Sequence, residues 1–287
     1  MAEPAKTLEA ANVKQCCSAF YGSHLATLLL GNNFHPGGQA LTCEIGRQLG
    51  LGPGCTVLDV ASGRGESALA LARAFDCYVV GVDLSEENNR LATDAATAAS
   101  LSSRVRFGTG DAESLPFADD SFDAILCECA FCTFPDKTTA AAEFHRVLRP
   151  GGRLALSDLT RDSESSEELD SLLAWIACIG DAQPIQRYAT WLSNAGFNVE
   201  AAYERDECLH EMLEKVRGRL LLADIMVNLR KLDLPDFDPL KVKQFLTTAE
   251  RAIQKHELGY AVLISKKQLL GDGGTCSRTI RGSATGK

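Results

Sequence analysis

Residues 57 to 65, Val-Leu-Asp-Val-Ala-Ser-Gly-Arg-Gly, constrain this chain more than any other stretch. An apolar run enters a turn of small residues and leaves in a helical pattern. A second apolar run, Val-Val-Gly-Val-Asp-Leu-Ser at 79 to 85, then ends on a carboxylate at Asp83. Strand, small-residue turn, helix and acid-terminated strand are the parts with which a doubly wound α/β sheet cradles a nucleoside.

The kind of nucleoside follows from what the turn lacks. A dinucleotide turn uses three glycines so that the backbone can approach a pyrophosphate at a helix N-terminus. Here the turn reads Ala61-Ser62-Gly63-Arg64-Gly65-Glu66, and Glu66 brings a carboxylate to the place of the phosphate. With Asp59 at the end of the first strand, such a turn suits a ligand that carries cations, such as the amino group and sulfonium of S-adenosylmethionine. Asp83 stands where a carboxylate accepting both hydroxyls of a ribose is expected. A strand-ending Asp can also cap the next helix, a role open to Ser85 as well.

The rest of the composition fits an enzyme outside the membrane. A chain of 287 residues can bury the core of one large domain, or of one domain plus a cap. Its net charge of −9 argues against a nucleic-acid partner, which needs a basic surface to neutralise phosphates. No apolar run is long enough to cross a bilayer, and the N-terminus lacks the charged-then-apolar order of a signal peptide. A cytoplasmic location is therefore expected, and with it eleven cysteines held mostly as thiols.

Along the chain, residues 1–50 read as a helical lid, broken by Pro and Gly between Gly31 and Gly38. Residues 51–205 read as the core. Apolar β-rich runs at 55–60, 78–83, 104–108, 123–128 and 153–158 alternate with helical stretches, as in a parallel sheet with crossover helices. A helix after Ser165, a helix over Ile185 to Ala195 and a strand over Phe197 to Tyr203 continue the pattern. Residues 206–258 form a helical insertion, with a break at Leu234-Pro235-Asp236, that could cap a substrate. The last core strand lies in 259–268, and 269–287 is a Gly, Ser and Thr-rich tail expected to be disordered.

Ligands of doubly wound sheets bind beyond the carboxyl ends of the strands. The fourth strand delivers Cys127-Glu128-Cys129-Ala130-Phe131-Cys132-Thr133-Phe134-Pro135-Asp136-Lys137 to that edge. The Asn or Asp followed by two prolines and an aromatic, usual here in enzymes that methylate nucleic-acid bases or protein amides, is missing. Cys127, Cys129 and Cys132 have ligand-like spacing, but a structural zinc site wants four ligands and no second pair follows. Cysteines such as Cys55 and Cys77 are expected to pack as small hydrophobes. His35, within Phe34-His35-Pro36-Gly37-Gly38, is either a turn histidine bonded to backbone or a base lining the acceptor pocket. Glu128 either fixes a ligand or faces solvent.

Val57 to Gly65, Asp83, Gly110-Asp111-Ala112 with Leu115-Pro116-Phe117, Phe122-Asp123 and Leu148-Arg149-Pro150-Gly151-Gly152 together resemble the class I S-adenosylmethionine-dependent methyltransferases in order and spacing. The resemblance implies a Rossmann-like methyltransferase sheet with S-adenosylmethionine as cofactor. It places Asp59, Ala61, Gly63 and Gly65 on the methionine part, Asp83 and Leu84 at the ribose, Asp111 and Ala112 beside the adenine, and Cys127 at the donor's edge. Ala61 departs from the family's glycine and is tolerable if its φ stays negative.

From Asp123 to Lys137 the chain further resembles the arsenite methyltransferases, whose loop carries a cysteine before a Pro-Asp-Lys turn. Trp175, Cys178 and Ala195-Gly196-Phe197 repeat a second motif of that family. The resemblance implies that Cys129 and Cys178, with Cys132 as a further candidate, hold a metalloid substrate as thiolates, which select soft ions. Such chemistry needs alignment more than a base, and no His-carboxylate pair is visible at this edge. A thiol reductant would then be a partner. The family's paired tyrosines and C-terminal cysteines have no clear counterpart; Cys16-Cys17, Tyr21-Gly22, Cys43 and Cys208 stand in different settings. Two other readings stay open: methyl transfer to a small organic acceptor at O, N or C, and a non-catalytic protein that senses the donor or a metalloid.

Overall fold

The central strand β1 (Thr56–Val60) forms where apolar side chains are covered on both faces of a sheet: Val57 and Leu58 are fully buried and Val60 nearly so. The computed structural model describes residues 28, 31, 34–161, 181–228 and 239–268. Ahead of β1 lies α1 (Gly38–Gln48). After it come α2 (Glu66–Phe75), β2 (Tyr78–Asp83), α3 (Glu86–Ala98), β3 (Val105–Thr109) and β4 (Phe122–Glu128). A short 3-10 turn, Phe131–Thr133, leads to α4 (Lys137–Val147) and β5 (Leu148–Arg161). Then follow α5 (Ile185–Asn194), β6 (Phe197–Glu204), α6 (Asp206–Asn228), α7 (Pro239–Gln254) and β7 (Leu258–Lys267).

The strands form one sheet in the order β3-β2-β1-β4-β5-β7-β6. β1 pairs in parallel with both β2 and β4, so the chain order reverses beside β1 and opens a crevice at the carboxyl ends of these strands. The fold is therefore the α/β methyltransferase-type sheet expected. One part differs from an all-parallel expectation: β7 runs antiparallel to both β5 and β6. The connection from β6 to β7 returns to the same end of the sheet, which allows adjacent strands to pair antiparallel without a crossover.

Capping fixes where the chain leaves the crevice. Ser85 Oγ accepts the Asn88 N–H at 3.2 Å at the start of α3, and Asp136 Oδ1 accepts the Thr139 N–H at 2.9 Å at the start of α4. α1 lies against α2 at Gly46, where a Cβ would come within 2.3 Å of the Phe75 ring. Two polar ties hold α1 to the far side of the sheet: Gln48 Nε2 to Tyr203 Oη at 2.6 Å, and Arg205 Nη1 to Glu44 Oε1 at 2.7 Å.

Helices α6 and α7 lie between β6 and β7 and share a small apolar cluster of Val216, Leu220 and Leu246, separate from the main core. Most of the stretch read as a lid, the helix after Ser165, the break at Pro235 and the tail from 269 lie outside the described residues. Among those described, no helix is long and apolar enough to cross a membrane.

Candidate active site

The crevice widens into a cleft of about 1090 Å3, the open space at its mouth included. Its walls come from the turn after β1, the starts of α2 and α3, the bridge at Asp111, the end of β4 and the segment before α1.

Asp83 organises the donor side. Its Oδ2 accepts the Gly63 N–H at 2.9 Å and its Oδ1 the Ser85 N–H at 2.8 Å. One carboxylate thus ties the turn after β1 to the turn after β2. It does so while lining the cleft, and Ser85 caps α3 itself. Burial pushes the Asp83 carboxyl up, against the pull of those hydrogen bonds.

Asp59 is 2% exposed and accepts from the Ala68 N–H. Among the described residues its Oδ2 has no partner, and neither does the buried Oγ of Ser62. Burial, then the nearby Glu128 and Asp83, push the Asp59 carboxyl well above the usual range. A buried, unpaired carboxylate beside two others is what a cationic ligand would relieve.

The turn is strained where it meets this space. Ala61 adopts φ +56, so the expectation of a negative φ is corrected: this alanine occupies the left-handed region in which glycine is at ease. Gly63, at φ +52, lies under Phe34, whose ring would be 3.3 Å from a Cβ there. Phe34 also stacks 5.4 Å from the Arg64 guanidinium. Leu84, Asp111 and Ala112 line the cleft as read, with Leu84 41% exposed at the rim.

Two residues read as donor contacts are not on its walls. Gly65, at φ +80, starts α2; a Cβ there would come 2.4 Å from Phe107, so this glycine serves packing behind the turn. Cys127 is fully buried within β4, and burial drives its thiol well up.

The cysteines separate in the same way. Cys129 lines the cleft, held at φ +51 with its N–H donated to the Ser157 carbonyl at 2.7 Å. Cys132 is fully buried in the aromatic core beside Phe131, off the cleft wall, which counts against the reading of it as a metalloid ligand. Cys178 and Trp175 lie outside the described residues. Cys77 is fully buried, its thiol pushed up to about 11 by desolvation, as a packing residue would be. No metal-holding cluster occurs among the described residues.

A His-carboxylate pair does stand at this edge, correcting the sequence reading. His35 Nε2 is 3.5 Å from Glu128 Oε2, with side chains 7% and 3% exposed. Glu128 accordingly does not face solvent; it accepts from Ser67 Oγ at 2.6 Å and Thr42 Oγ1 at 3.0 Å. His35 Nδ1 lies 3.1 Å from the Pro36 carbonyl, as a turn histidine would, and its ring stands on the cleft wall. Sequence reasoning passed over Ser67, Phe34, Thr133 and Phe134 as wall residues. Nothing in their spacing marks them, because three separate segments bring them together.

Residues 58–156 match the family described as methyltransferase domain. Residues 58–156 thus carry a methyltransferase domain, of the class I S-adenosylmethionine-dependent kind. The chain is 29% identical over 236 residues to 27-O-demethylrifamycin SV methyltransferase of Amycolatopsis mediterranei, covering 79% of this chain and 82% of that one. It is 31% identical over 163 residues to the arsenite methyltransferase of Halobacterium salinarum, covering 55% of this chain but only 41% of that protein. Its fold matches phosphoethanolamine N-methyltransferase 2 of Haemonchus contortus in complex with S-adenosylmethionine. The TM-score there is 0.71 at 21% identity, over 84% of this chain and 56% of that one. The orphaned Asp59 oxygen in a carboxylate-lined cleft fits the cationic end of S-adenosylmethionine, the cofactor that such a domain uses.

Proposed function

We propose that this methyltransferase acts on a small organic acceptor presented at the end of β4. The observation that carries this reading is the make-up of the wall beyond the donor turn. Phe34, Ala130, Thr133 and Phe134 surround a single thiol, Cys129, among the described residues. An apolar, aromatic wall suits a carbon skeleton, with a few polar groups to fix its orientation. Asp59, the Gly63 turn and Asp83 would hold the donor, with Leu84, Asp111 and Ala112 toward its nucleoside. When bound, S-adenosylmethionine supplies a sulfonium methyl group open to in-line attack. Phe34 and Phe134 exclude water and orient the acceptor, and alignment of this kind provides much of the rate.

A second reading, methylation of arsenite or another thiol-bound metalloid, is favoured by one observation. Cys129 is a non-glycine residue held in the left-handed region on the cleft wall, and such strain collects at functional sites. Similarity to the arsenite enzyme supports it, and Cys178 would have to supply the second thiolate.

The test incubates the purified protein with donor and either an acceptor panel of hydroxy, amino and thiol compounds or arsenite with glutathione. S-adenosylhomocysteine and methylated product are followed. Turnover of a panel member that survives Cys129→Ser establishes the organic reading. Turnover of arsenite alone, abolished by Cys129→Ser, replaces it with the metalloid reading. Donor binding with turnover of neither would leave a sensor.

A further inference from the structure

We propose that His35, Ser67 and Glu128 form a relay that takes up the proton an acceptor loses on methylation, so that the acceptor is protic: a hydroxyl, amine or thiol. The inference rests on the methyltransferase reading and narrows its substrate class.

Hydrogen-bond geometry limits where protons can sit. The Pro36 carbonyl only accepts, so His35 Nδ1, 3.1 Å away, carries a hydrogen and Nε2 is the basic nitrogen. Nε2 lies 3.2 Å from Ser67 Oγ, which is 2.6 Å from Glu128 Oε2. One added proton satisfies the chain in two ways. An imidazolium donates to Ser67, whose hydroxyl donates to the carboxylate; or a carboxylic acid donates to Ser67, whose hydroxyl donates to neutral Nε2. The three groups can therefore hold one added proton between them. Without it, Nε2 and the Glu128 carboxylate compete for the one Ser67 hydrogen, and His35, Ser67, Glu128 and Cys129 all line the same cleft.

The groups that act on Glu128 of the relay are Asp59 from β1, Cys127 from β4 and Tyr260 from β7, and the same cleft is lined by Cys129 just after β4, Arg64 in the turn before α2 and Glu66 at its start. α1 contributes only the Thr42 hydroxyl, which donates to Glu128.

The balance is simple. A lone pair on the acceptor atom X forms the X–C bond while the C–S bond breaks, its electron pair staying on sulfur and cancelling the sulfonium charge. X would be left cationic; its proton passes to Ser67 Oγ as the Ser67 hydroxyl hydrogen moves on to His35 Nε2 or to Glu128, and from there it is released to water. Trivalent arsenic, which bears no proton on the attacking atom, has no need of this path.

The first test needs no acceptor: an NMR titration of the His35 ring in the full chain, in the wild type, Glu128→Gln and Ser67→Ala. The expected neutral form carries its hydrogen on Nδ1. The midpoint should fall by about one unit or more in Glu128→Gln, because loss of the carboxylate removes the partner of the imidazolium. A neutral ring protonated on Nε2, or a midpoint unmoved in Glu128→Gln, would overturn the relay.

The second test uses an acceptor found in the panel. kcat/KM should rise with pH through the His35 midpoint, and that limb should move to lower pH in Glu128→Gln by the same shift. His35→Gln should lose the limb and lower kcat by about 10²-fold. A flat profile in the wild type overturns the proposal. If His35→Gln does not fold, Ser67→Ala takes its place, with a tenfold or greater loss of kcat expected and an unchanged kcat counting against the relay. Efficient turnover of arsenite with no dependence on His35 would overturn the protic class while leaving methyl transfer intact. A chain that binds no S-adenosylhomocysteine would fail the methyltransferase reading instead.

Discussion

Asp59 concentrates the conflict between stability and function in one side chain. Its carboxyl is raised by burial and by neighbouring acids, so the sign of its effect on folding is set. A carboxyl whose folded pKa lies above its unfolded value contributes stability fully below the unfolded pKa, and that contribution is lost as pH rises through the folded pKa. Asp59→Asn should therefore raise the melting temperature of the ligand-free protein, and the gain should grow with pH. The same change should weaken S-adenosylhomocysteine or sinefungin binding by about tenfold or more in calorimetry, since the cationic amino group loses its anion. Ala61 gives a second prediction. Its φ of +56 costs roughly 1 kcal/mol, which Ala61→Gly should recover as an increased denaturant midpoint. The position of Asp59, Asp83 and Asp111 at the cleft was legible because strand-turn spacing fixes which residue reaches the sheet edge. That Gly65 and Cys127 lie off the cleft wall was not legible, since spacing does not say which side of a turn or strand a residue faces. The pairing of His35 with Glu128 was invisible, because only the folded chain brings the segment before α1 to the end of β4.

Among the elements, α2 depends on how closely its first turn approaches β3. Gly65→Ala would force a Cβ against the Phe107 ring at 2.4 Å while holding φ +80, and should destabilise the fold by about 2–4 kcal/mol in chemical denaturation. α4 is anchored differently. Lys137, 5% exposed, pairs with Asp181 and donates to the Phe134 carbonyl at 3.0 Å, joining the loop after β4 to the chain entering α5. Asp181→Ala would leave a nearly buried ammonium without its anion. The carboxylate is a third exposed, so the expected loss is about 1–3 kcal/mol, below that of a fully buried pair, with kcat falling as the Cys129–Phe134 loop loosens. The seven strands were legible to within a residue or two at most ends, because each reads as an apolar run bounded by breakers. The direction of β7 was not, since its composition is that of any buried strand and only its partners decide the pairing.

At the level of the whole molecule, the donor site and the fold share their charges. The net −9 is spread over the surface, but Asp59, Asp83 and Glu128 collect at one cleft, so a cationic ligand should stabilise the protein beyond its contact area. The insertion between β6 and β7 has a different consequence. Glu204 and Ala261 sit opposite each other in neighbouring strands, so the helices α6 and α7 depart from and return to one place on the sheet. Their small apolar cluster is separate from the main core. The ends of the pair nearest the sheet are fixed, because Cys208, Leu209, Ala249, Ala252 and Ile253 belong to the main core and Asp206 accepts the Tyr260 N–H at 2.9 Å. Only the part around Val216, Leu220 and Leu246 is an exchangeable tip: grafting that part from another methyltransferase should leave the seven-stranded sheet and its donor affinity in place, while the range of acceptors it admits is free to drift.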